Sequence, residues 1–138
     1  MDTRTVVERF FDRLTAGAVE DVAALVSDPV DWYIPGHEAI APWLGRRTRR
    51  HEVEEVYRLL FRNVEPIRFA MHDIVVEGNV AVASGEFASR MLATGNVYES
   101  LLFVHFTVVD GQIVRYRLLE DTYGLVRAMS AHPSHPAV

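Results

Sequence analysis

The sequence has no cysteine in its 138 residues, which excludes disulfide staples, a thiol nucleophile and thiolate metal sites. The lack is compatible with a reducing cytoplasm, the compartment expected here. Positive charge is also short: 14 Lys and Arg against 19 Asp and Glu leave a formal charge of -5. Affinity for nucleic acid rests on neutralising many phosphates, so no nucleic-acid partner is expected. Long hydrophobic runs are missing too. The greasiest stretch, LLFVHFTVV from Leu101, is far short of a bilayer span, and the opening MDTRTVVERFFDR carries charge throughout. Neither a membrane span nor a targeting segment is expected. No Gly-rich phosphate loop, nucleophile elbow or dinucleotide fingerprint occurs. His132 and His135 lie close together on a Pro-rich tail, but without companions. No metal and no cofactor are expected.

What remains has the length of one domain, large enough to bury a core without staples. No internal repeat or linker divides it. The spacing predicts a single domain over 1–131 and a loose tail over 132–138. Val6, Val7, Phe10, Phe11 and Leu14 recur at helical spacing, Thr5 and Glu8 have the spacing of a capping box, and Gly17 stands where a helix would stop. VEDVAALV reads as a second helix closed by Asp28-Pro29, and VDWYIPG as a strand. The segment 37–50 reads as irregular. Val53, Val56, Tyr57, Leu60, Phe61 and Val64 then trace a third helix. Beyond Pro66 the period becomes two, with hairpin turns at Glu77-Gly78-Asn79 and Asp110-Gly111. Helices followed by long antiparallel strands predict an α+β fold.

Several words in this order carry a resemblance: ERFFDRLTAG from Glu8, WYIPG from Trp32, Gly45-Arg46, HDIVVEGNVAVASG from His72, TGNVYES from Thr94, DGQIV from Asp110 and Asp121-Thr122. Together they resemble the SnoaL-like, polyketide cyclase-like branch of the nuclear transport factor 2-like superfamily, which also includes ketosteroid isomerase and limonene epoxide hydrolase. The resemblance covers roughly residues 3 to 128. It implies a cone, in which a strongly curved antiparallel or mixed sheet wraps around about three N-terminal helices and leaves an apolar pocket. It also implies a homodimer paired through the outer face of the sheet. It assigns no reaction, because this fold hosts isomerases, cyclases, hydrolases, dehydratases and binders alike.

Alternation sorts the last strand into Tyr116, Leu118 and Glu120 on one face and Arg115, Arg117 and Leu119 on the other. By similarity to limonene epoxide hydrolase the first set faces the cavity, joined by Tyr98, Ser100, Leu102 and Val104 and by Gly85, Phe87 and Ser89. Glu99, Leu101, Phe103 and His105 would lie outside. On the first strand alternation sets Trp32 and Ile34 against Asp31 and Tyr33, and relatives support either face; Trp32 is taken as inward, and Asp73 shares the ambiguity because its face depends on the hairpin turn.

The departures from the relatives bear on mechanism. The Arg and two Asp that hold water in limonene epoxide hydrolase correspond to Gly85, Phe87 and Leu118, so that mechanism is not expected. The base of ketosteroid isomerase corresponds to Ile34. The inward Glu common in relatives corresponds to Leu118, while Glu120, two residues on along the same face, is the acid that remains. A carboxyl in an apolar cavity has its pKa raised toward the range useful for general acid or base work; at the rim it would simply be solvated. Tyr98 and Tyr116 are either phenol donors to a substrate oxygen or pocket walls. Asp121 is expected to cap the last helix and His105 to lie in a dimer interface. Arg46, Arg47, Arg49, Arg50 and His51 either face solvent or serve an anionic group.

The catalytic candidates are therefore Glu120, Tyr116 and Tyr98. The ligand-binding candidates are Trp32, Tyr57, Phe61, Phe69, Met71, Phe87, Ser100, Leu102 and Leu118. Such a wall suits a small hydrophobic molecule. The function expected is cofactor-independent acid/base chemistry (cyclisation, isomerisation, dehydration or epoxide opening) on such a molecule. A non-catalytic dimeric binder of the same fold is the alternative.

Overall fold

A computed structural model describes residues 1–130. The tail and its two histidines lie outside the described residues. In chain order the elements are α1 (Thr3–Thr15), α2 (Val19–Ala23), β1 (Val26–Ile34), β2 (Gly45–Arg47), α3 (Arg50–Asn63), β3 (Val64–Glu77), β4 (Val80–Met91), β5 (Val97–Val109), β6 (Gln112–Glu120) and α4 (Thr122–Ala128). The strands form one open mixed sheet in the order β2-β1-β6-β5-β4-β3. Only β1 and β6 run parallel; the other neighbours are antiparallel. This is the α+β cone expected from the sequence. Pairing shifts after Pro66, after Met71 and after Thr107, and such bulges bend and twist strands.

Helix α1 buries Val6, Val7, Phe10 and Phe11, the stripe its spacing predicts. Its cap differs from expectation. Oδ1 of Asp2, not Thr5 with Glu8, accepts the Thr5 amide at 2.8 Å, so the helix begins at Thr3. Gly17, with φ +71°, follows the helix end in the left-handed region.

The second helix is shorter than predicted. It ends at Ala23, and Asp28-Pro29 lies inside β1 instead of closing a helix. The proline is tolerated because pairing with β6 is irregular between Val26 and Asp31, where no regular ladder needs its missing N–H. Val64 opens β3 rather than ending α3: its backbone is extended, with φ -133° and ψ 150°, and it pairs with Met91. Short β2 falls within the segment read as irregular. Three residues are too few for a period-two signal.

Both predicted hairpins form. Asp110 and Gly111 have φ +49° and +76°, the pair of positive values that a type I′ turn requires. The bulge between Met71 and Asp73 settles the face of Asp73: Phe69 and Met71 are half-buried before it, Ile74 and Val76 after it, and Asp73 is exposed.

The arginine cluster is absorbed by local structure. Arg46 stacks on Tyr33 at 4.2 Å, and Arg47 donates to the carbonyls of Pro42 and Leu44. Arg49 pairs with Asp28 at 2.9 Å, and Arg50 donates to the Val26 carbonyl. Among the described residues, no helix is long and apolar enough to cross a membrane.

Candidate active site

Helices α1 and α3 do not fill the concave face of the sheet, and a cavity of about 550 Å³ remains between them. Its wall is mostly apolar. Phe11 and Leu14 of α1, Tyr57 and Phe61 of α3, Phe69 of β3 and Phe87 of β4 contribute to it, with Leu102 and Leu118 from β5 and β6. Polar groups gather where β5 and β6 meet, at Tyr98 and Glu120.

Glu120 reaches the cavity because β6 alternates. Tyr116 is buried, Leu118 and Glu120 are half-buried facing inward, and Leu119 between them is 59% exposed. Burial raises its pKa, and the neighbouring Asp121 charge adds to the rise, while the hydrogen bond from Tyr98 opposes it. The Tyr98 hydroxyl stands 2.9 Å from Glu120 Oε1 and 2.9 Å from the Asp121 carbonyl. Burial and the Glu120 charge push the Tyr98 phenol up, so it stays protonated and acts as a donor. Glu120 Oε2 has no hydrogen-bond donor among the described residues.

The other tyrosine is placed differently. Tyr116 presents an edge to the cavity, but its ring stacks on Trp32 at 3.7 Å with an interplanar angle of 6°. Its hydroxyl meets that of Tyr57, and burial raises both phenols. Tyr116 is therefore a wall braced from behind.

Of the predicted ligand-binding residues, Tyr57, Phe61, Phe69, Phe87, Leu102 and Leu118 line the cavity, and Trp32, Met71 and Ser100 do not. Trp32 is inward, the face taken for it, yet it lies behind Tyr116 at 1% exposure, with an indole N–H that finds no partner among the described residues. Met71 folds its thioether over Gly85, where an added Cβ would stand 2.9 Å from the sulfur and collide with the Ala70 carbonyl. Ser100 braces the backbone: its Oγ donates to the Leu101 carbonyl at 2.6 Å and accepts the Asp121 amide at 2.9 Å.

Asp121 caps α4, its Oδ1 accepting the Gly124 amide at 2.9 Å. His105 lies on the outer face between exposed Phe103 and Thr107, in register with Val82 and Arg117. Sequence reasoning missed Trp43 and Leu44, which close one side of the cavity from the loop after β1. That loop has no periodicity, and the only available signal was two large apolar residues beside Pro42. Among the described residues, no cluster of three or more acidic or histidine side chains could hold a metal.

Comparison with known proteins agrees with this architecture. No match was found among curated proteins. Among solved structures, an NTF2-like protein from Burkholderia thailandensis is 18% identical with a TM-score of 0.85, over 94% of this chain and 98% of that one. A protein from Pseudomonas putida, provisionally assigned as a polyketide cyclase, is 20% identical with a TM-score of 0.75, covering 94% and 99%. An epoxide hydrolase of the limonene epoxide hydrolase-like kind from M. tuberculosis is 18% identical with a TM-score of 0.71, covering 91% and 86%. At these identities the likeness shows the fold alone. The family model described as SnoaL-like domain matches residues 7–116, from within α1 to within β6, and the chain belongs to the SnoaL-like family.

Proposed function

We propose that the protein is a cofactor-independent enzyme that performs acid/base chemistry on a small apolar, oxygenated molecule, with Glu120 moving the proton. The observation that carries this reading is the placement of Glu120. It is a carboxyl of raised pKa at the polar end of a mostly apolar cavity, held by a phenol at 2.9 Å. A general acid or base must be supported in both protonation states. Tyr98 supplies this support: it donates to Oε1 when Glu120 is ionised, and when Glu120 is protonated it can donate to the Asp121 carbonyl instead, also at 2.9 Å. Tyr98 thus acts through Glu120 as a positioning residue. Tyr116, Leu118, Phe87 and Leu102 keep water from the reacting atoms, where low polarity strengthens charge interactions.

Cyclisation, isomerisation, dehydration and epoxide opening all fit this inventory, and the cyclase and epoxide hydrolase among the structural neighbours support that range. The test is turnover on a panel of substrates for these four reactions, for the native chain and for Glu120→Gln. Loss of turnover in the variant is expected. Full activity in the variant would remove Glu120 from the chemistry.

A second reading, a binder without chemistry, is favoured by Gly85, Phe87 and Leu118, which stand where limonene epoxide hydrolase is expected to hold its water. Under that reading Glu120→Gln leaves the turnover of every panel member at background.

The outer face of the sheet supports a homodimer. Leu101, Phe103 and Leu119 are exposed by 59%, 52% and 59%, and Phe103 stands opposite Leu119 in register. A contiguous apolar patch of this kind is typical of an interface. The cytoplasm is the compartment that fits a chain without cysteine.

A further inference from the structure

We infer that the cavity selects an uncharged apolar molecule bearing a hydroxyl or enol, and that this group donates its hydrogen bond to Oε2 of Glu120. The inference rests on the acid/base reading of Glu120 and adds the charge and polarity of the ligand. Among the described residues, two charged ones border the cavity, Glu120 and Arg68. Arg68 sits at the mouth with its side chain half exposed, and its guanidinium is engaged by Glu99 at 2.5 Å. Among the described residues, then, no cation is directed at the polar end. An anionic ligand would bring a second negative charge beside Glu120 in surroundings of low polarity, where like charges repel strongly.

The hydrogen-bond inventory points the same way. The single proton of Tyr98 is shared between Glu120 Oε1 and the Asp121 carbonyl. The Tyr116 and Tyr57 hydroxyls interact with each other. Thr15 donates to the Phe11 carbonyl within its own helix. What remains open is Glu120 Oε2, an acceptor when ionised, and the hydroxyl of Ser89, which has no protein partner among the described residues and stands opposite Tyr98 in the β4–β5 register. Trp32 Nε1 and His105 Nδ1 are the fully buried side-chain atoms without a partner among the described residues, so Oε2 stays open to the cavity. A ligand hydroxyl meets that oxygen, and Ser89 can serve a second neutral oxygen. The apolar body then extends toward Phe11, Phe61 and Phe69.

Calorimetric titration of the full chain at neutral pH with β-naphthol, its methyl ether and β-naphthoate tests this directly. These probes share one apolar body and differ in offering a donor, an acceptor or an anion. β-Naphthol is expected to bind about tenfold more tightly than either of the others, the scale of one hydrogen bond to a charged group. In Glu120→Gln, Oε1 can still accept from Tyr98 while an NH₂ group replaces Oε2, so the gap between β-naphthol and its methyl ether should close. The ranking in the native chain decides alone if the variant does not fold. β-Naphthoate binding as tightly as β-naphthol, or a gap that survives in a folded Glu120→Gln, overturns this inference and leaves the acid/base reading standing. Failure of all three probes to bind overturns this inference, while the acid/base reading stands or falls by the turnover of Glu120→Gln.

Discussion

The two faces of strands β5 and β6 are made from one stretch of chain and have opposite characters. Inward stand Tyr98, Ser100, Leu102 and Val104, all buried; outward stand Glu99, Leu101, Phe103 and half-buried His105. The contrast is sharpest at the end of β6, where two adjacent carboxylates part company. Glu120 turns into the cavity, is held by Tyr98 and has a raised pKa. Asp121 turns away to accept the Gly124 amide as the cap of α4. What a carboxylate can do is thus decided by the face it occupies and the water it keeps. Residue type alone does not separate the two.

The contrast can be broken most strongly from within. Trp32→Ala removes the partner stacked on Tyr116 and opens space behind the cavity wall. The expected loss of stability is about 3–5 kcal/mol, read from the urea midpoint. The next largest effect is on rate: Glu120→Gln should lower kcat about a hundredfold or more on any substrate found.

The same variant also probes stability. Burial raises the folded-state pKa of Glu120 above its unfolded value, so the folded state binds the proton more tightly, and stability falls as pH rises from the unfolded pKa through the folded one. Glu120→Gln removes that fall. Its thermal midpoint should exceed that of the native chain at neutral pH, and the difference should shrink in acid below the unfolded pKa. An unchanged difference across that window would mean that the carboxyl is not desolvated.

Asp121→Ala sharpens the comparison from the other side. Loss of the cap should cost about 1 kcal/mol, and the pH dependence of kcat should move toward lower pH, because the Asp121 charge helps to raise the Glu120 pKa. Smallest of all is Phe103→Lys on the outer face. The monomer should change by less than about 0.5 kcal/mol, and sedimentation should show a dimer lost to monomer.

Much of the architecture was legible from local patterns. The period-two run beyond Pro66 located the long strands, and Asp110-Gly111 announced a hairpin, whose two positive φ values make it a type I′ turn. Boundaries were less legible where a nearby residue competes for the same role. Asp2 took the cap from Thr5, and Asp28-Pro29 entered a strand because irregular pairing with β6 made room for it. Within the site, alternation grouped Leu118 with Glu120, and the likeness to limonene epoxide hydrolase turned them and Leu102 toward the cavity they line. Neither could tell that Trp32 and Met71, also inward, would be covered by other side chains, nor that Trp43 and Leu44 would come to the cavity from an aperiodic loop.

By itself the sequence determined what short-range physics controls: helices at a period of 3.6, strands at a period of two, and which residues of an unbulged strand share a face. The tertiary structure alone decided which inward residues border empty space. That depends on contacts between distant parts of the chain: α1 and α3 stop short of filling the sheet, β1 lies parallel beside β6, and Tyr98 approaches Glu120 across 22 residues of sequence. A carboxyl is desolvated by every element packed around it, so its chemistry is set by the assembled cavity and not by its neighbours in sequence.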